Sequence, residues 1–215
     1  MTIREKYAVT GAQPVASYDW VDLTSGVGYK RYYGCASNTV TTATYFLTSK
    51  QIDAQPISLL SSAIPVDTKT KAIDLDYDIE FLRPAIIDGV AVINLTHGVR
   101  IANINSSDNE TVVNIAHINL ASAETIIGTT TTGVRPGTQD HNYRDCIRVA
   151  LTRTHFAIGE KLRLTVELWA KDDAPGGTAK VILWFDPNSA QTVTDVDGIT
   201  RNTDLILDIP FRIAI

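Results

Sequence analysis

No stretch of this 215-residue sequence approaches the roughly 20 apolar residues that a membrane-spanning helix requires. Its opening, Met1-Thr2-Ile3-Arg4-Glu5-Lys6, leads into no apolar run. That predicts a chain made in the cytoplasm without a secretory signal. Two cysteines, Cys35 and Cys146, leave one disulfide open, with two half-buried reduced thiols the favoured reading. The histidines, His97, His117, His141 and His155, are dispersed, and none stands in the His-x-x-x-His or His-Glu-x-x-His spacing of a zinc site. A phosphate loop, a dinucleotide fingerprint and a Gly-x-Ser-x-Gly elbow are all missing. Gly26-Val27-Gly28 lacks the third glycine and reads as a turn. Positive charge is scarce: 19 Lys and Arg against 24 Asp and Glu leave a net charge of −5. This weighs against a sequence-independent grip on nucleic acid and against a polybasic membrane contact. No cofactor and no metal is expected.

What is present is period-two alternation. Ile73, Leu75, Tyr77, Ile79 and Phe81 interleave with Asp74, Asp76, Asp78 and Glu80, so on a strand five apolar groups face one way and four carboxylates the other. Leu162, Leu164, Val166 and Leu168 repeat the pattern, as do Leu205, Leu207, Ile209, Phe211, Ile213 and Ile215. Further strands are predicted at Tyr29–Tyr33, Val40–Thr48, Ala85–Leu95, Val99–Ile104, Val112–Leu120 and Cys146–Phe156. Gly89 is expected to mark a bulge, and Pro210 an edge or a bulge. Asp172 to Gly177 is expected to close a hairpin whose return strand is Val181 to Phe185. Residues 50–71 read as a connection with one helical turn, and Gly128 to Asn142 as a long loop. Residues 1–28 hold Tyr7, Val9, Tyr18 and Trp20 without sustained periodicity, and read as an extended N-terminal arm lying on its own domain or on a neighbouring copy. The predicted fold is all-β: one antiparallel β-sandwich over residues 29–215, jelly-roll-like, preceded by that arm.

Candidate chemistry is sparse. Same-face carboxylates on the acidic strand Asp74-Glu80 would stand roughly 6.8 Å apart, within the spacing of an inverting glycosidase pair. Alternating acids are also how a half-buried strand keeps its outer face in water, and this is the favoured reading. Asp186, Asp195, Asp197 and Gly198 resemble part of a calcium loop with ligand positions missing; Asp197-Gly198 reads as a hairpin turn. Asp140-His141 near Asp145-Cys146 offers the residue types of a Cys/His site, but Cys146 opens an apolar strand. Trp184 falls among apolar neighbours and is expected in the core. Trp169 is the tryptophan expected to face a ligand. No catalytic residue is assigned.

The aromatic arm, the Thr/Asn/Gly-rich loops and the final strand Asp204-Leu205-Ile206-Leu207-Asp208-Ile209-Pro210-Phe211-Arg212-Ile213 together resemble β-sandwich structural proteins of tailed viruses and phages. The resemblance covers the whole chain and is one of style, without a signature motif. It implies a virion structural protein rather than an enzyme: a capsid-associated decoration or minor capsid subunit, assembling with copies of itself or a major capsid protein through the arm. The alternative is a carbohydrate- or receptor-binding module of a fibre or tail.

Overall fold

The computed structural model describes residues 27–37, 43–53, 56–102, 107–137, 140–173, 178–188, 190–194 and 198–212. The expected arm residues Tyr7, Val9, Tyr18 and Trp20 lie outside them. The described residues form strands β1 (Val27–Ala36), β2 (Tyr45–Thr48), β3 (Ser58–Leu60), β4 (Thr70–Glu80), β5 (Ala85–Ala102), β6 (Ser107–Ile118) and β7 (Glu124–Thr131). They continue with β8 (Arg135–Gly137), β9 (His141–Phe156), β10 (Lys161–Asp172), β11 (Thr178–Trp184), β12 (Thr192–Thr194), β13 (Thr200–Asn202) and β14 (Leu205–Arg212). The all-β expectation holds.

The strands form two layers. In the first, β5 pairs along one edge with β9, and along the other with β14 and then β11, while β1 lies outside β14 and β3 outside β11. In the second, the order is β4-β10-β6-β7. Strand β2 joins the layers, antiparallel to β1 and meeting β4 in a parallel pair at Phe46 and Asp78. All other pairings between named strands are antiparallel, so adjacent chains exchange hydrogen bonds without crossover helices. The buried sets of both layers, such as Ile93, Leu95 and Leu207 from one and Leu75, Leu164 and Ile115 from the other, merge into one core.

Parity explains most of this. On β4, Ile73, Leu75 and Tyr77 are buried while Asp74 and Asp76 are exposed. On β9, Ile147, Val149 and Leu151 are buried while Arg148, Ala150 and Thr152 face outward. Gly128 allows β7 to approach β9. A Cβ there would stand 2.7 Å from a Leu151 methyl and 2.9 Å from the Ala150 carbonyl oxygen. Gly89 takes a φ of +133° where the β5–β9 register slips, and it faces Pro210. The β14–β5 pairing is also irregular between Asp208 and Phe211. Pro210 therefore sits at a bulge within the sheet, not at an edge, since β14 is paired on both sides.

Several local expectations are corrected. Strand β10 pairs with β4 and β6 in the second layer and β11 with β5 in the first, so they are not a hairpin. Residues 58–60 are strand rather than helical turn, paired to β11. The span expected as a long loop holds the end of β7, all of β8 and the start of β9. Its threonines are β-branched and favour strand, and the β6 edge gives them a partner. The two stretches expected as separate strands around Thr96 are one strand of 18 residues. Val27 and Gly28, read as part of a turn, open β1.

Candidate functional site

The acidic ladder is neutralised. The β4–β10 register sets Asp78 opposite Arg163, Asp76 opposite Thr165 and Asp74 opposite Glu167. Arg163 clamps Asp78 through Nε (2.8 Å) and Nη2 (3.0 Å), and its Nη1 also reaches Asp76 and Glu124, each at 3.0 Å. The like-charged pair Asp74 and Glu167 is bridged by Lys71 Nζ, at 2.6 and 3.2 Å. These contacts hold the Arg163 guanidinium charged more firmly than usual. Carboxylates tied in this way form an ionic surface rather than a free acid/base pair, which removes the glycosidase reading of this strand.

Of the other expected residues, Asp195 and Asp197 lie outside the described ones, and the rest are scattered. Asp186 accepts from the backbone N–H of Asn188 (3.1 Å) and of Gln191 (3.0 Å), ordering its own turn. Gly198, at φ +77°, lies in the β12–β13 connection. Among the described residues, no group of three or more His, Cys, Asp or Glu is placed to hold a metal. Cys35 is buried and Cys146 exposed, both as free thiols, and burial pushes the Cys35 thiol up to about 12. On β9 the side chains of His141, Tyr143 and Asp145 share one face and Cys146 the other, so the Cys/His site does not assemble. Trp184 is 5% exposed and Arg100 lies over its ring. Trp169 is half-buried on the outer face, where its Nε1–H donates to Glu167 (2.7 Å).

The polar group that the fold does gather lies inside one end of the sandwich. His97 of β5 is 1% exposed and Asp145 of β9 is 7% exposed. His97 Nε2 and Asp145 Oδ2 are 3.0 Å apart, and Arg135 Nη1 donates to Asp145 Oδ1 at 2.6 Å. Tyr143 stacks on His97 with ring centroids 5.2 Å apart, and Arg135 lies over the same tyrosine. From the second layer, Thr111 Oγ1 stands 3.4 Å from His97 Nε2, and Asn109 Nδ2 donates to the Arg135 carbonyl (3.0 Å). Burial pushes the Asp145 carboxyl up, but the hydrogen bonds from His97 and Arg135 outweigh it and hold the group below the usual carboxylate range. A cleft of about 270 Å3 reaches Arg135 and Asp145 from outside, past Thr131, Thr132 and Arg148.

This cluster has the residue types of a hydrolytic relay but not its geometry. In such a relay, one imidazole nitrogen faces the acid and the other the nucleophile. Here Asp145 and Thr111 both approach Nε2. The arrangement joins β5, β6, β8 and β9 across the two layers. The signal for it was parity: His97 falls on the inward set of Leu95 and Val99, and Asp145 on that of Ile147 and Val149. Composition and motif spacing carry no trace of it.

No family model and no curated protein matches the sequence. Among solved structures, an α-amino acid ester hydrolase is similar over 85% of this chain and 36% of that chain, with a TM-score of 0.52 and 10% identity. A CocE/NonD family hydrolase from Staphylococcus aureus is similar over 84% of this chain and 36% of that one, at TM-score 0.49 and 11% identity. The likeness is one of fold. The present chain spans about a third of the length of these structures. A structure of infectious bursal disease virus, Gt strain, also matches, covering 83% of this chain and 40% of that one at TM-score 0.30 and 7% identity, a level that supports no argument.

These findings correct the functional expectation. The expectation of a virion, capsid or decoration role outside enzyme chemistry, with a fibre module as its alternative, is overturned by a fold shared at TM-score 0.52 with an α-amino acid ester hydrolase. The physical reason is plain. Strict alternation, Thr/Asn-rich loops and an aromatic opening belong to two-layer sandwiches in general and do not distinguish a viral one.

Proposed function

We propose that this chain is the β-sandwich unit of a hydrolytic enzyme, acting together with a catalytic unit that supplies the nucleophile. The observation that carries the reading is the fold shared with the α-amino acid ester hydrolase, in which a sandwich of this design makes up about a third of a longer chain. The closed geometry of the His97–Asp145 cluster supports the division of labour, since Asp145 and Thr111 approach the same imidazole nitrogen and His97 is buried. The substrates to try first are small esters and amides of α-amino acids.

The test is antibody depletion. An extract of the native source is assayed for hydrolysis of α-amino acid p-nitrophenyl esters before and after removal of this chain under non-denaturing conditions. Hydrolysis that leaves with the chain and is recovered in the bound fraction supports the proposal. Undiminished hydrolysis in the depleted extract, with none in the bound fraction, rejects it.

A further inference from the structure

Far from the His97 cluster, where β4 hands over to β5, the two layers part. Ten residues along β5, from Ile87 to His97, separate the two places by about 30 Å. The gap is a groove of about 620 Å3, well within the roughly 300–1,000 Å3 of small-molecule sites. Its walls are apolar and come from both layers: Ile79 and Phe81 on one side, Ile87 and Ile209 on the other.

One residue does not fit an apolar wall. Lys30 lies on the same face of β1 as Tyr32, which belongs to the core, and its register partner on β14 is Ile209. Its side chain lines the groove with Nζ 5.0 Å from the centre of the Tyr32 ring. Burial pushes its proton affinity down, and among the described residues no carboxylate offsets the effect. Several cations elsewhere on these sheets are tied to acids, as Arg31 is to Asp208, Arg135 to Asp145 and Arg163 to Asp78. Drawing an ammonium into an apolar cleft without a counter-ion is unfavourable, and the ring offsets only part of it. On the rim, Glu80 and Arg83 carry single charges of opposite sign. Lys30 therefore supplies the uncompensated charge.

We propose that this groove binds an amphipathic monocarboxylate, its apolar tail between the layers and its carboxylate on Lys30 Nζ. A point charge of one unit matches one carboxylate, and a phosphate would bring more negative charge past Glu80 than the site balances. The inference is independent of the hydrolytic reading: it rests on the groove and on Lys30 alone.

The test is calorimetric titration of the full chain with decanoate, and with 1-octanol as a neutral probe. Decanoate is expected to bind. Lys30→Met, which keeps the apolar stem, is expected to weaken decanoate binding about tenfold or more and to leave octanol binding unchanged; Lys30→Arg should retain decanoate. A melting temperature of Lys30→Met at or above that of the unaltered chain would show that the fold is intact. Equal decanoate affinity in Lys30→Met would mean that Lys30 merely lies over Tyr32, and would overturn the proposal. So would binding seen only when Tyr18 and Trp20 are both replaced by serine in the full chain, because the groove would then belong to the chain's own N-terminal segment.

Discussion

His97 and Asp145 meet at 3.0 Å from neighbouring strands, and both are nearly closed to solvent. The carboxylate also receives Arg135, so removing it leaves one cation and one buried imidazole without their shared partner. Asp145→Ala is expected to cost about 3 kcal/mol of stability, read by urea unfolding. Asp88→Ala breaks the more exposed pair with Arg212 and should cost less than about 1 kcal/mol. Equal costs would show that the buried cluster contributes no more than a surface pair.

The same carboxylate sets an acid limit. Its affinity for a proton is lower folded than unfolded. Its contribution is therefore complete above the unfolded value of about 3.9 and is lost as pH falls through the folded one. The urea midpoint should drop below about pH 4, and Asp145→Asn should drop less steeply over that range. A parallel decline in both proteins would assign the acid sensitivity to other groups.

Arg163 stands among Asp76, Asp78 and Glu124. Arg163→Met should cost about 1–2 kcal/mol at low salt, because three carboxylates lose their shared cation. The deficit should shrink in about 1 M salt, where exposed repulsion is screened. A deficit independent of salt would mean that the side chain acts by packing.

Gly128 is a steric prediction. With Leu151, Val149 and the Ala150 carbonyl within 3 Å of a built Cβ, Gly128→Ala should cost about 2 kcal/mol by forcing β7 off β9. Gly137→Ala, whose nearest neighbour would be 3.4 Å away, serves as the mild control. Thermal unfolding of the two variants separates them; equal melting temperatures would mean that the close approach of β7 to β9 carries no strain.

The layers were legible in the sequence wherever parity was strict. Ile73 to Tyr77 and Leu162 to Leu168 point inward as their spacing requires. Partnership was not legible. Nothing in Asp172 to Val181 reveals that β10 and β11 join different layers, because inward parity is the same whichever sheet a strand enters. The four threonines of 129–132 looked like loop because the sequence does not show the β6 edge that pairs Thr129, Thr130 and Thr131. For the same reason the polar cluster stayed hidden. His97, Thr111, Arg135 and Asp145 are brought together by pairing across strands, and no local pattern records it. Lys30 was readable in hindsight, as a cation on the parity of Tyr32.

The most direct test of the hydrolytic proposal is velocity sedimentation of a native extract, with each fraction assayed for this chain and for hydrolysis of α-amino acid esters. The expected result is one coincident peak, heavier than the chain alone. A chain that sediments at its own mass, apart from every fraction with hydrolytic activity, would contradict it.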